Sequence, residues 1–340
     1  MIRFRDFVLS YMTEEKEDKK EKRINGTMHE LLTGYHLLGG RHMEQHPNNK
    51  GESPQEAHDR IKKTMSPEIY AEHQARAKHA ADAITQAVGG KKNIKKVHWT
   101  SKRGDINRVT GSNQSQNEDP SDLYITHHDG THTGISLKAH SAKGKHGHFK
   151  APGLGTIDKS LKIEGHNELI DQARKRLAEL HPKVENSKNE DEMSSMVSND
   201  EKLKNDESRE RNALLPQIAK NWHERYAAMP KKKLSDHLRN LIHANKTTHN
   251  HIRVTTSGVG NNFESNVIHP HTHYDHILND HQNLGVEHVG NSVNFTHKGR
   301  KVFTLRVKTK SGVEDGGDLG WHGGIMGTIK ADVDGSRISK

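Results

Sequence analysis

The 340-residue sequence predicts an α/β fold class in two parts, a domain of helices followed by strands and a second, α+β C-terminal domain. Three observations carry this. Residues 27–90 show helical periodicity with paired start and stop signals. After Gly90 the pattern changes to short alternating runs separated by turn residues. From 183 to 212 apolar residues almost vanish, and beyond them helical and strand patterns resume.

In "GTMHELLTGYHLLGG", Leu31, Leu32, Tyr35 and Leu38 recur near helical spacing, and Gly39-Gly40 interrupts them. The spacing predicts a helix over 27–38. "SPQEAHDRIKKTM" opens with Ser53 at an N-cap position, Pro54 at the first helical position and Glu56 three residues after the cap. "SPEIYAEHQARAKHAADAITQAVGG" repeats the Ser-Pro start and stops at a glycine pair, so two further helices follow. "KKVHWTS", "DLYITHH" and "TGISLKAHS" then read as strands, the last two joined by "HDGTH" with its Asp-Gly turn signal. Residues 165–181 return to helical periodicity, and 183–212 read as a charged linker or a solvated helix. "ALLPQIAKNWHERYAAM" and "KKLSDHLRNLIHAN" are helical, whereas "HIRVTTSG", "SNVIHPH", "NSVNFTH" and "RKVFTLRVKTKSG" alternate as strands. Trp99, Trp222 and Trp321 are too scattered for a stacking platform and read as core anchors.

Composition bounds the function. Apolar residues make up 30% of the chain, so even with its 29 glycines the core is small or interrupted by solvated segments. Against 44 acidic residues stand 53 lysines and arginines, giving +9 with histidine neutral, and 29 histidines add charge below about pH 6.5. That excess favours a polyanionic partner. No cysteine is present, which excludes disulfides, thiolate metal sites and a cysteine nucleophile. No run is long enough to span a membrane and the N-terminus lacks a signal-peptide pattern, so a cytoplasmic protein is expected.

The chemistry concentrates in "EDPSDLYITHHDGTHTGISLKAHS". Asp122 heads the first strand, and Ser136 and Lys138 lie two apart, on one face of the second. Divalent-metal phosphodiester cleavage needs hard oxygen ligands beside the scissile phosphate and a cation to hold the attacking water. An acid from one strand and a lysine from its neighbour supply both, although a solvated hairpin with charged ends would read the same. The run "HSAKGKHGHFK" that follows carries Lys143, Lys145 and Lys150 among glycines, as a phosphate-facing loop would.

This segment resembles the PD-(D/E)XK nuclease superfamily, in which an acid, a short spacer and a carboxylate-X-Lys triplet sit on a β-hairpin behind an N-terminal helix. The resemblance makes Asp122 the first acid and Lys138 the lysine. It implies a restriction-endonuclease-like mixed sheet flanked by helices. In Holliday-junction resolvases, members of that superfamily, the helix supplies a further acid in a G-x(3,4)-E context, which Gly26 and Glu30 match. The resemblance therefore implies a nuclease-like domain over 24–182 with helical sequence inserted at 47–90, after a charged segment 1–23. A linker 183–212 and a C-terminal domain 213–340 complete the expected organisation. The opening residues also look like those of many tailed-phage proteins.

Two positions depart from the pattern. The proline lies one place further from the acid, as Pro120-Ser121-Asp122, and Ser136 replaces the carboxylate of the triplet. A neutral hydroxyl is a poor Mg²⁺ ligand, and Glu118, Asp119 and Glu164 are the acids near enough in sequence to compensate. Separately, His271, His273, Asp275 and His276 spell H-x-H-x-D-H, which resembles the zinc signature of the metallo-β-lactamase fold. There the string lies early in a long chain and needs later ligands, whereas 64 residues follow His276 here. With 29 histidines, chance clusters are expected.

The resemblance implies a Mg²⁺- or Mn²⁺-dependent DNA endonuclease in which Glu30 and Asp122 hold metal, Lys138 acts on the water and Ser136 fills the weakened third position. Cutting two strands takes two sites, which a homodimer supplies. The alternative is a non-catalytic nucleic-acid-binding or virion-associated protein that kept a nuclease-like fold.

Overall fold

The computed structural model describes residues 24–45, 51–102, 104–112, 119–140, 153–187, 190–242, 249–260, 262–309 and 325–332. The chain is mixed α/β and divides into two compact units, residues 1–147 with 245–272, and residues 148–244 with 273–340.

In the first unit, residues 24–37 form α1. The remaining elements are α2 (Pro54–Lys62), α3 (Pro67–Ala87), β1 (Ile94–Trp99), α4 (Asp105–Thr110), β2 (Leu123–His127), β3 (His132–His140), β4 (Asn250–Val259) and β5 (Asn262–Ile268). The helix boundaries follow from local chemistry. Gly39 N–H bonds to His36 O and Gly40 N–H to Tyr35 O, a Schellman closure with both glycines at positive φ. Gly89 and Gly90 close α3 in the same way on Gln86 and Thr85. At the start of α2 the capping box is complete: Ser53 Oγ accepts from Glu56 N–H while the Glu56 carboxylate accepts from Ser53 N–H.

The five strands form one mixed sheet in the order β1-β2-β3-β4-β5. Successive pairs are antiparallel except β3 and β4, which run parallel with Thr133 beside Asn250 and His140 beside Ser257. One face of the sheet presents Val97, Leu123, Ile125, Ile135, Leu137, Ile252 and Val254. These pack with Met28, Leu31 and Leu32 of α1 and Ala77, Ala80 and Ile84 of α3. Each fully buried aliphatic side chain contributes roughly 1.5–3 kcal/mol. The alternate positions of β3, Gly134, Ser136 and Lys138, fall on the other face.

The second unit holds α5 (Leu154–Leu161), α6 (His166–Leu180), α7 (Glu190–Asn199), α8 (Glu201–Ala227), α9 (Lys231–Leu241) and α11 (Asp275–Leu278). The short helix α10 (Pro270–His273) leads into it, and β6 (Leu284–Val289), β7 (Ser292–His297), β8 (Arg300–Thr309) and β9 (Ile325–Ala331) form an antiparallel sheet in chain order. The long helix α8 packs across β6, β7 and β8. Trp222 is the anchor expected of it: it is fully buried and donates from Nε1 to Asp158 Oδ1 at 2.8 Å, while His166 Nδ1 lies 2.9 Å from the same oxygen. Trp321 lies outside the described residues.

The observed units differ from the expected division at 182 and 213. β4 and β5, read as C-terminal strands, complete the first sheet because β3 takes β4 as its parallel partner. Residues 154–180, read as the end of the first domain, belong instead to the second unit. The charged stretch 183–212 is largely helical, since α7 and α8 run through it. Of its few apolar residues, Val184, Met193, Val197 and Leu203 are buried and Met196 is partly buried, which is why so sparse a pattern still folds. Among the described residues, no helix is long and apolar enough to cross a membrane.

Candidate functional site

Asp122 is fixed by the strands on either side of it. Its backbone N–H donates to Ile135 O at 2.8 Å and its carbonyl accepts from Thr100 N–H at 3.1 Å. That places its carboxylate over β3, where Oδ2 accepts from Leu137 N–H at 2.6 Å and lies 3.7 Å from Lys138 Nζ. Both side chains keep partial exposure, 25% for Asp122 and 35% for Lys138. The ion pair is therefore reachable from solvent.

Glu30 arrives from α1. Met28, Leu31 and Leu32 turn into the core, and Glu30 falls beside that stripe, half-buried. Its Oε2 accepts from Trp99 Nε1–H at 2.8 Å. Trp99 ends β1 opposite Leu123, the residue after Asp122, so this hydrogen bond carries Glu30 to the acid end of the hairpin. Burial is the largest influence on Glu30 and the charge of Asp122 the second; together they push its carboxyl up to about 7 against the opposing pull of Trp99 and Lys138. Asp122 is also raised, first by burial, with Lys138 and the Leu137 N–H opposing.

Glu30, Asp122 and Lys138 thus form one electrostatic group. Ser136 belongs to it by position: it is buried on the same face of β3 as Lys138, two residues away. No carboxylate among the described residues has moved in to replace the one it lacks. Asp119 is buried and committed elsewhere, accepting from Ser121 N–H at 3.0 Å and from the hydroxyls of Ser121 and Tyr124. Gly134 makes room for that arrangement, because a Cβ there would stand 2.3 Å from Ser121 Oγ. Glu164 is exposed in the second unit. Glu118 and the basic run with Lys143, Lys145 and Lys150 lie outside the described residues.

Two residues of this region escaped sequence reading. Trp99, read only as a core anchor, orients Glu30. Arg253, 5% exposed, sits beside Ser136 in the parallel register of β3 and β4, and so shares its face. Nothing linear links Arg253 to Ser136; only the parallel pairing does. Burial pushes the neighbouring His251 imidazole down to about 4, partly offset by Asp119.

The H-x-H-x-D-H string is divided by the unit boundary, with His271 in the first unit and His273, Asp275 and His276 in the second. Asp275 is held by Arg239 at 2.6 Å. Among the described residues the string contributes no group of three metal ligands.

The arrangement fits a small hard cation. The charge of Asp122 raises the proton affinity of Glu30, so the two carboxylates form an acceptor pair whose repulsion a divalent ion would relieve, and a backbone N–H and an indole N–H hold them in place. With one neutral hydroxyl in the third position, the donor set is short of charge. Compared with known proteins, the chain matches no family model and no curated protein.

Proposed function

We propose that the first unit is a metal-dependent nuclease of the PD-(D/E)XK type, acting on DNA phosphodiester bonds. The observation that carries this reading is the convergence of Glu30 on the Asp122–Lys138 pair, from a helix lying more than 80 residues earlier in the chain. A solvated hairpin with charged ends has no reason to recruit a third ionisable group. A mixed sheet with helices on it, and a helix in front of the acid-bearing hairpin, also agree with that superfamily's expected plan.

Glu30 and Asp122 would hold Mg²⁺ or Mn²⁺, which supplies neutralisation of the phosphate and a more acidic water when bound. Trp99 keeps the Glu30 carboxylate turned toward Asp122, and the Leu137 N–H fixes the Asp122 oxygen. Lys138 stabilises developing hydroxide and donates to the phosphate oxygens. Water would form the new P–O bond and lose its proton to solvent, while the P–O bond to the leaving sugar oxygen breaks and that oxygen takes a proton from solvent. A homodimer would place one such site on each strand.

Ser136 favours a second reading. With Asp119 committed to Ser121 and Tyr124, the third acid is missing, as in a nucleic-acid-binding or virion-associated protein that kept the fold and lost cleavage. One experiment separates the two. Plasmid, linear and branched DNA are incubated with the full chain and Mg²⁺ or Mn²⁺, beside Lys138→Ala. Metal-dependent cleavage lost in the variant supports the nuclease. Binding without cleavage supports the second reading, and cleavage that survives Lys138→Ala ends the assignment of this site.

A further inference from the structure

A different cluster lies where the loop after α1 meets α2 and α3. His42, His58 and Asp59 each offer one ligand atom, and the three atoms lie within 4.8 Å of one another. His58 is buried and Asp59 exposed. His58 Nδ1 is 2.9 Å from Asp59 Oδ1, and its Nε2 is 2.9 Å from Tyr70 Oη on α3. The rings of His42 and His58 stand 4.9 Å apart, and Tyr35 of α1 packs against His42 at 5.1 Å.

We infer that His42, His58 and Asp59 form a binding site for a divalent transition metal of the zinc class, separate from the Glu30–Asp122 pair. Two imidazoles and one carboxylate are the donor set such ions take, and leave a fourth position for water. In a tetrahedral site with bonds of about 2.0–2.1 Å, donors stand roughly 3.3 Å apart. Nδ1 of His58 and Oδ1 of Asp59 stand at 2.9 Å and need part by only roughly 0.4 Å, while His42, on a loop, approaches by up to roughly 1.5 Å.

Tyr70 distinguishes this group from a chance meeting of histidines. A metal-bound imidazole donates its other N–H to an acceptor that fixes ring and tautomer. Here Nε2 of His58 points at the Tyr70 hydroxyl, which Gln74 Nε2 steadies at 3.1 Å and whose ring Lys62 covers at 4.6 Å. Tyr70 is a positioning residue. A bound ion would tie the 38–45 loop to α2, and through Tyr70 to α3, pinning the helical segment 54–87 to the end of α1.

The test uses the full chain stripped with a chelator and titrated with Co²⁺, then Zn²⁺, against a weak competing chelator that suppresses loose binding to the other histidines. One tight equivalent is expected, with the visible absorption of four- or five-coordinate Co²⁺, bleached by Zn²⁺ and unaffected by millimolar Mg²⁺. Asp59→Asn and His42→Ala should each weaken binding by more than tenfold, and Tyr70→Phe by about 10- to 100-fold. Asp59 is exposed, so its variant folds and decides the matter if His42→Ala does not. Absence of a tight equivalent, displacement by Mg²⁺, or an unchanged Co²⁺ spectrum and affinity in Asp59→Asn each overturns the inference, whatever happens to DNA cleavage.

Discussion

Replacing Glu30 with glutamine should stabilise the first unit by an amount that grows as the pH rises above about 4.5 and levels off above about 7. The carboxyl sits at about 7 in the folded chain against an ordinary value of 4.5. At about 1.36 kcal/mol for each tenfold change in proton affinity, that gap is about 3 kcal/mol. The sign follows from which state holds the proton. Below pH 4.5 both folded and unfolded chains carry it and nothing is lost; between 4.5 and 7 only the folded chain keeps it, so stability falls as the pH rises. Above 7 the folded state bears the whole cost of a half-buried carboxylate beside Asp122. Glutamine can still accept from Trp99 Nε1 and carries no charge, so Glu30→Gln should match the wild type near pH 4.5 and exceed it by up to about 3 kcal/mol at pH 8. Native-state hydrogen exchange of the β2 and β3 amides, with urea, reads this unit without interference from the other. Millimolar Mg²⁺ or Mn²⁺ should close the gap at pH 8 by stabilising the wild type alone. A difference between the two proteins that is equal at pH 4.5 and pH 8 would refute the raised proton affinity of Glu30, which burial and then Asp122 produce.

Three other outcomes are expected. Ser136→Asp should tighten Mg²⁺ binding, measured by calorimetry with Asp122→Asn as the losing control, by on the order of tenfold or more, since a unit charge at about 4 Å in an effective dielectric near 20 is worth ~4 kcal/mol before desolvation. No change in either variant would reduce Asp122 and Lys138 to the charged ends of a hairpin. Cleavage should survive His271→Ala combined with His273→Ala, because imidazole pairs poorly with Mg²⁺; loss of activity in a folded double variant, restored to the wild type by zinc after chelation, would move the chemistry to the C-terminal string. Ser53→Ala should cost about 1 kcal/mol in thermal or urea unfolding of the first unit, and an unchanged midpoint would deny the capping box its weight.

What could be read in the sequence is what is local. Ser53, Pro54 and Glu56 announce the start of α2, and the pairs Gly39-Gly40 and Gly89-Gly90 announce helix ends, because capping involves residues within one turn of each other. The hairpin of β2 and β3 was legible for the same reason: Asp129 caps its own turn by accepting from Thr131 N–H at 2.9 Å, with Gly130 at positive φ. β6 and β9 were not, since a short strand with Gly285 or Gly327 in it lacks a clean alternation. Neither was the parallel pairing of β3 with β4, because nothing along the chain encodes a partner more than 100 residues away. The site divides along the same line. Asp122 and Lys138 lie close in sequence, and Glu30 was reached through likeness to a family. Trp99 became visible only when α1 met the end of β1, and Arg253 only when β4 was brought beside β3.

The parallel pairing also sets a clock. Thr133 cannot meet Asn250 until the ribosome has made everything between them, α5 to α9 included, which at about 5–20 residues per second takes roughly 6–25 seconds. During that interval β3 is an open edge, its backbone groups unpaired on one side. The nascent chain can close β1, β2 and β3 as a meander, yet Ile252 and Val254, which finish the same apolar face, have not been synthesised. A lysine on a waiting edge strand discourages pairing with other chains. The lysine proposed to act on a phosphodiester would thus serve first as a guard during synthesis, and the first unit is completed only after the chain has produced much of the other one.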